Sequence, residues 1–391
     1  MITNLLFYIL ITTIVLLVTT LCMQDIKREI MMPQPASPDT ILSPAPLISI
    51  LIPARDEAAR IGLCLEGLTS QTYRSFEVII IDDHSSDGTA DVAQRYADRL
   101  PKLSIIQGQP LPTGWVGKCW ACWQAANHAN GEWLIFLDAD VIPAPMLLQT
   151  LVHQTQTRSF DLITLLPLQQ FGSLAEKLVM PAFLSLLYSL YPPELVNKPR
   201  SPLAFTNGPC IFIRRTVYEA VGGHTAVRSS VLEDVDFGRH VKNVGYAIMA
   251  FAASHLLAIR MYDGWDSLSE GLAKNAVAGH RSGGLRSVWI GLRQALIAFA
   301  PIYIIFTGLM LWLVQPGPLG LVLLLHGMGL ALLTISSVGW IMHHRYRISA
   351  CWGLLYPIGL ASYFGIASYA FIRAWQGHGV VWRGRIIHDE Y

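Results

Sequence analysis

The sequence predicts an α/β fold: a mostly parallel, Rossmann-like sheet in the middle of the chain, with transmembrane helices at both ends. Three observations predict it. Apolar, β-branched runs alternate with segments of helical periodicity from residue 47 onward, the pattern of parallel strands covered by helices. Acidic clusters, Asp82-Asp83 and Asp138-Ala139-Asp140, close two of those runs, at the strand ends where such sheets present ligands. Long uncharged stretches flank this region, and only 14% of the 391 residues are charged, against about a quarter in a typical soluble domain.

The first apolar run, Leu5 to Cys22, has no charge and is followed by Lys27 and Arg28. A cleaved signal peptide carries its positive charges before the apolar run. Here they come after, so residues 1–24 read as an uncleaved anchor whose C-terminal end is cytoplasmic. Residues 25–46 follow as a linker, proline-rich from 31 to 46 (MMPQPASPDTILSPAP).

The middle region, 47–262, reads as one cytoplasmic domain. LISILIPA (47–54) is a buried strand ended by proline. Residues 56–68 have apolar residues at helical spacing, and SFEVIIIDD (75–83) is a second buried strand. SSDGTADVAQRYADRL (85–100) starts with capping residues and reads as a helix. LSIIQG (103–108) is a short strand, and GEWLIFLDAD (131–140) is another that ends on acids. Pro53 to Glu57, Asp82-Asp83 and Asp138 to Asp140 thus fall at strand ends, where one crevice can collect them.

Residues 263–292 read as an interfacial segment, and 293–373 as a membrane region of two to three helices. Its uncharged runs are Ala295–Val314, Leu319–Met342 (with His326) and Cys351–Ile372, each able to cross a hydrocarbon core of about 30 Å. Arg281, Arg286 and Arg293 before the first run, and Arg345 and Arg347 after the second, point to the cytoplasm; QPGPLG between them lacks Lys and Arg. The tail, 374–391, conflicts: Arg373, Arg383 and Arg385 also look cytoplasmic, which three full spans do not allow. Either the last run is re-entrant or interfacial, or the tail is an exception. One further apolar stretch, 173–193 (SLAEKLVMPAFLSLLYSLYPP), lies inside the middle region. It reads either as a buried core helix or as an amphipathic helix dipping into the bilayer.

Composition excludes some functions. A net charge of +1 and no long Lys/Arg run give no basis for nucleic-acid binding. Six cysteines are scattered, and only Cys119 and Cys122 form a CxxC, with no second pair or nearby His to complete a zinc set. They read as reduced thiols of a cytosolic domain.

Acidic residues at strand ends suit a metal-bound nucleotide. The third acidic cluster, Glu233-Asp234 in SSVLEDVDFG, supplies a candidate general base. Each has a plainer reading: a turn and helix cap for Asp82-Asp83, loop residues for Asp138 and Asp140, and an acidic helix start for Glu233, Asp234 and Asp236.

SILIPARDEAARIGLCLEGLTSQTY, EVIIIDDHSSDGT, LIFLDAD, NGPCIFIRRTVYEAVGG and LEDVDFGRHVKNVGY resemble the successive motifs of family 2 glycosyltransferases of the GT-A fold, in order over residues 47 to about 250. The flanking helices, PLPTGWVGKCWA (110–121) and VWRGR (381–385) are similar to membrane enzymes that glycosylate carotenoids or accompany hopanoid synthesis. The resemblance implies an integral protein of the cytoplasmic membrane. Its donor would be a nucleotide-sugar (UDP- or GDP-sugar), its acceptor a membrane lipid, and its cofactor Mg2+ or Mn2+.

Carried over position by position, the resemblance implies the following. Pro53, Ala54, Arg55 and Glu57 would line the nucleotide-sugar site. Asp83, with or without Asp82, would accept a hydrogen bond from the base. Asp138 and Asp140 form the DxD motif: Asp140 would bind the metal, and Asp138 would face the ribose or share the metal. Asp234 would take the acceptor's proton, with Glu233 in support. Lys118 would contact the diphosphate, or be a solvated lysine. Asn207-Gly208 would shape the sugar or acceptor pocket, or be a plain turn. Trp265 would join Asn207 and Gly208 at the sugar or acceptor pocket or, with Lys274, Asn275 and Arg281, close over the diphosphate, though Trp265 and Arg281 also suit an interfacial anchor.

Processive members of the family carry a QxxRW motif after the base. Residues 264–284, GWDSLSEGLAKNAVAGHRSGG, lack it, which points to transfer of a single sugar; the resemblance implies that this transfer inverts the anomeric centre. A processive polysaccharide synthase and a non-catalytic sugar-nucleotide-binding membrane protein are the alternatives.

Overall fold

The computed structural model describes residues 2–36, 45–157, 160–382 and 385–387. They divide into two compact units. One comprises residues 32–170 and 191–261, the other residues 1–31, 171–190 and 262–391.

The first unit is built on strands β1 (Ile48–Ala54), β2 (Phe76–Asp82), β3 (Leu103–Gln107), β4 (Trp133–Leu137), β5 (Val141–Pro143), β6 (Leu162–Leu166), β7 (Leu168–Gln169), β8 (Cys210–Arg214), β9 (Ile248–Ala252) and β10 (Leu257–Ile259). Seven of them form one sheet in the order β3-β2-β1-β4-β8-β6-β9. β1, β2, β3 and β4 are mutually parallel, so their carboxyl ends share an edge. β8 runs antiparallel to β4 and β6. β5, β10 and β7 make a small second sheet.

The strands' near-continuous apolar sequences follow from burial on both faces. Ile48, Ile50 and Ile52 face one core with Val78, Ile80, Ile135 and Phe212. The helices Ile61–Thr69 and Leu147–Thr157 cover that face through Leu65, Leu68, Leu148 and Leu151. Leu51, Ile79, Ile81, Phe136 and Ile211 face the other core. There the helices Gly117–His128 and Glu233–Asn243 supply Cys122, Ala125, Phe237 and Val241.

The helix expected over 56–68 begins only at Ile61, and the one expected over 85–100 starts after its capping residues but already ends at Gln94. The loops after β1 and β2 are pinned to each other before either helix starts. Asp56 and His84 both take positive φ, 51° and 56°, a conformation that side chains other than glycine adopt rarely. Asp56 N–H donates to Ser85 Oγ (3.0 Å), and Ser86 N–H to Asp56 Oδ1 (2.8 Å). Asp87 accepts from the N–H groups of Ala58 (2.9 Å) and Thr89 (3.0 Å). Residues 56–60 and 85–88 are therefore turns, and the helices run Ile61–Thr69 and Thr89–Gln94.

The opposite sheet edge is tied by a buried carboxylate. Glu77 accepts from Ser49 Oγ (2.6 Å), from Asn130 N–H (2.6 Å) and from Asn130 Nδ2 (3.2 Å). Ser49 Oγ in turn accepts from Gly131 N–H at 2.8 Å. Burial pushes the Glu77 carboxyl up, but the hydrogen bonds from Ser49 and Asn130 outweigh it and hold the group below its ordinary value.

The second unit is helical. Among the described residues of the whole chain, five helices are long and apolar enough to cross a membrane: Leu6–Ile30, Leu174–Val196, Leu285–Val314, Pro318–Tyr346 and Ala350–Trp375. Ile11, Val18 and Cys22 pack with Ile297, Ile304, Leu323 and Leu330. Helix Leu174–Leu190 belongs to this unit; Leu178 O occupies the place where a Cβ on Gly359 would stand, a contact that only glycine permits. In this unit Arg345 pairs with Glu29 and Arg293 with Asp25, each at 2.6 Å, and buried Glu176 accepts from the N–H groups of Gly172 and Gly264. Residues 37–44 of the expected linker lie outside the described residues, as do Arg383 and the end of the tail; the first helix itself continues to Ile30.

Replacing Glu77 by Ala strands the Ser49 and Asn130 donors and should cost about 1–3 kcal/mol, read as a lower unfolding midpoint of the detergent-purified protein. An unchanged midpoint would remove Glu77 from the account of the fold. The folded carboxyl ionises below its ordinary value. Its contribution is thus present above the unfolded value, about 4.3, and is lost as the pH falls through the folded value. Glu77→Gln should remove that share of the acid sensitivity.

Candidate active site

The carboxyl ends of β1, β2 and β4 bring most of the singled-out residues to one edge. Pro53 and Ala54 end β1, and Ala54 O accepts from Asp83 N–H at 2.8 Å. Arg55 Nη1 lies 3.3 Å from Asp83 Oδ2. Asp82 ends β2, is buried, and accepts at Oδ1 from Ser85 N–H (3.2 Å). Glu57 is buried in the loop after β1, with its N–H on Thr89 Oγ1 at 2.8 Å.

Asp138 and Asp140 follow β4. The antiparallel β8 decides what meets them. Leu137 at the end of β4 pairs with Cys210 at the start of β8. The segment entering β8, Thr206-Asn207-Gly208-Pro209, therefore lies beside the DxD motif, and Asp138 N–H donates to Pro209 O (3.3 Å). Asn207 is locked behind it: its N–H donates to Thr164 Oγ1 (2.8 Å) and its Nδ2 to Leu165 O (3.1 Å).

Glu233 and Asp234 open the helix Glu233–Asn243. Asp234 accepts from Gly208 N–H at Oδ2 (2.7 Å) and from Val235 N–H at Oδ1 (2.8 Å). Thr206 Oγ1 donates to Asp234 O, and a Cβ on Gly238 would stand 2.6 Å from that hydroxyl oxygen. Thr206 and Gly238 thus fix the helix start by direct contact. Thr206 was not singled out by sequence reasoning; adjacency to Asn207-Gly208 is its only signal there.

Lys118 joins the two acidic groups. Its ammonium lies 2.7 Å from Asp138 Oδ1 and 2.9 Å from Glu233 Oε1. It sits in the first turn of Gly117–His128. That turn is anchored by Val116 N–H to Arg228 O (2.7 Å) and by Cys119 Sγ to Val227 O (3.4 Å). A Cβ on Gly208 would lie 3.1 Å from Asp234 Oδ2, 3.2 Å from Lys118 Nζ and 3.6 Å from Asp138 Oδ2. Gly208 is thus the point around which these three groups converge.

The electrostatics follow. Burial alone would lower the Lys118 ammonium, but Asp138, Glu233 and Asp234 outweigh it and hold it well above its ordinary value. Asp234 is pushed up to about 6 by burial and by Glu233, against the pull of Lys118 and the two backbone N–H groups. Asp140 is pushed up to about 7 by burial, then by Asp138 and Glu57, with Arg60 and Lys118 opposing. Burial likewise pushes up the thiols of Cys119 and Cys122, which makes them poor nucleophiles.

Among the described residues, no three His, Cys, Asp or Glu side chains gather as a metal site. Asp138 and Asp140 are hard oxygen donors crowded by like charge, which suits a hard divalent cation. Such cations are commonly held by one or two carboxylates plus substrate phosphates. The donor set therefore fits Mg2+ or Mn2+ if a diphosphate completes it.

Trp265 belongs to the helical unit, where it is exposed near the start of helix Gly264–Gly283. Asn275 Nδ2 donates to Tyr262 OH there (3.3 Å), and the side chain of Arg281 lies outside the described residues.

Residues 49–222 match the family model Glycosyl transferase family 2. That stretch is therefore similar to the family 2 glycosyl transferases. Two similar proteins are the 4,4'-diaponeurosporenoate glycosyltransferases of Staphylococcus haemolyticus and Staphylococcus aureus. The first is 26% identical over 239 residues, covering 60% of this chain and 62% of that protein. The second is 28% identical over 237 residues, covering 59% and 61%. The match thus spans under two thirds of those relatives' length. Among solved structures, a mannosyltransferase from Pyrobaculum calidifontis in complex with GDP-Man and Mn2+ is similar. It has a TM-score of 0.55 and 18% identity, over 92% of this chain and 97% of that one. That likeness is one of fold, and it agrees with the GT-A architecture expected from the motifs.

Proposed function

We propose that this chain transfers a single sugar, with inversion, from a UDP- or GDP-sugar to a hydroxyl of an apolar membrane lipid such as a carotenoid or a hopanoid-like polycycle. The observation that carries this reading is the convergence of Asp234, Lys118 and Asp138 on Gly208. A candidate base and the DxD motif then lie within one reaction centre.

In this reading Asp234 is the general base. Its two oxygens are aimed by the N–H groups of Gly208 and Val235, and burial raises its affinity for a proton. It takes the acceptor's hydroxyl proton as that oxygen bonds to the anomeric carbon. The bond from that carbon to the diphosphate breaks, and the nucleoside diphosphate leaves. Glu233 keeps Lys118 near the base. Asp83, held by Arg55, offers an acceptor for the nucleobase, with Asp82 behind it; Pro53, Ala54 and Glu57 form the adjoining wall. Asp138 and Asp140 would hold Mg2+ or Mn2+, which when bound neutralises charge on the leaving diphosphate. Asn207 and Gly208 shape the sugar side of the site. Trp265 belongs to the helical unit, and its assignment to the sugar or acceptor pocket rests on the sequence alone.

A lipid acceptor is supported by the five apolar helices and by the relatives' named substrate, 4,4'-diaponeurosporenoate. Single transfer is supported by the lack of QxxRW in 264–284. Residues 47–262 are read as a cytoplasmic domain of a cytoplasmic-membrane protein. Lys27 and Arg28 close the first long helix and Arg286 and Arg293 open another.

Membranes containing the protein, given labelled UDP- or GDP-sugars, should place label in a small apolar lipid. Label in a polymer, or in none, sinks the reading. Asp234→Asn should lower transfer by about 10²–10⁴-fold while nucleotide-sugar binding persists; turnover within a few-fold of wild type excludes Asp234 as base. Chelation should abolish transfer and Mn2+ or Mg2+ restore it, but not in Asp140→Ala; full activity in chelator removes the DxD role. A cysteine introduced on the surface of 47–262 should resist impermeant thiol reagents in intact cells. Ready labelling from outside reverses the orientation.

A further inference from the structure

We propose that Lys118 is a counter-ion that changes partner. Its ammonium holds Asp138 and Glu233 in the nucleotide-free protein and moves to the donor's diphosphate on binding, so that Asp138 and Asp140 take a divalent cation tightly only together with the diphosphate. The proposal rests on the reading of those two residues as cation ligands.

The geometry carries it in three steps. First, Lys118 Nζ is 2.7 Å from Asp138 Oδ1 and 2.9 Å from Glu233 Oε1, so one oxygen that a cation needs is already engaged by a positive charge. A divalent ion arriving alone must either displace the ammonium or sit within a few ångströms of it, where like charges repel strongly outside bulk water. Second, a diphosphate offers the ammonium something to move to. Lys118 stands in the first turn of Gly117–His128, whose positive dipole end also favours an anion. The lysine stem is flexible, and its ammonium binds phosphate as a point charge. Third, Gly208 leaves the way clear. A methyl group there would lie 3.2 Å from Nζ and 3.1 Å from Asp234 Oδ2, crowding both.

By linkage, the cation and the diphosphate must strengthen each other's binding by the same factor. Part of that factor is the cation's own contact with phosphate oxygens. The remainder is set by Lys118, and a neutral residue at this position removes it.

The test titrates Mn2+ onto the purified full chain in detergent, following free Mn2+ by electron paramagnetic resonance, alone and with UDP or GDP. In the wild type, Mn2+ should bind weakly alone and much more tightly with the nucleoside diphosphate. In Lys118→Met and Lys118→Gln, Mn2+ alone should bind about tenfold tighter than in the wild type, and the gain from nucleotide should shrink by about the same factor. Lys118→Arg should behave as wild type. Circular dichroism checks each fold, and the two neutral variants are independent of each other. Nucleotide-free affinity unchanged in both neutral variants overturns the proposal, as does a wild type that binds Mn2+ equally well with and without nucleotide. Asp140→Asn should lose Mn2+ in every state. Its retention of Mn2+, or a wild type that binds none in any state, brings down the cation reading itself and the proposal with it.

Discussion

Gathering carboxylates at one edge of a sheet costs free energy, and in this protein the ammonium of Lys118 offsets that cost. Asp138, Glu233 and Asp234 all act on it, and it touches the first two. Without a cation there, the like charges would repel across a crevice poorly screened by water. The residual strain is visible at the two groups that Lys118 does not contact directly. Asp140 and Asp234 both hold their protons more tightly than ordinary aspartates. A site of this kind is set up to receive further positive charge at Asp140 and a proton at Asp234.

The rest of the sheet unit serves to hold that arrangement still. Hydrogen bonds from Ser49 and Asn130 to Glu77 close the far edge. At the near edge the loops after β1 and β2 clasp each other through Asp56, Ser85, Ser86 and Asp87, at the expense of two left-handed residues. Strained backbone at a strand end is where a binding loop is expected to store its pre-organisation. Thr164, Thr206 and Gly238 do the same for the other half of the site. They are buried, and each contacts the segment or helix that carries Asn207, Gly208 or Asp234.

The helical unit obeys a different constraint. Its charges are few, and Arg345 with Glu29 and Arg293 with Asp25 are paired at hydrogen-bond distance, as charges among apolar helices must be. Arg345 also lies over the Tyr188 ring, 3.9 Å from its centroid, which links the inserted helix Leu174–Leu190 to the last-turn residues of two others. Close packing at Gly308 and Gly320 against the neighbouring backbone supplies the van der Waals contact by which small residues let apolar helices approach.

The sequence by itself determined the α/β class, the strands β1 to β4, the apolar helices at both ends and the acidic residues worth naming. These are local signals: runs of β-branched residues, uncharged stretches and acids at the ends of apolar runs. It left the helix start after β1 wrong by several residues, because Asp56 and Asp87 bond across loops about 30 positions apart, beyond the reach of periodicity. It left Lys118 open between a ligand contact and a solvated lysine, and Gly208 between a pocket and a plain turn. Only the tertiary structure decided those. β8 is inserted antiparallel between β4 and β6, so the entry to β8 meets the exit of β4. That reversal puts Gly208 among Asp138, Lys118 and Asp234, residues up to 116 positions apart. Strand direction in a sheet depends on long-range pairing, and no local pattern in the chain encodes it.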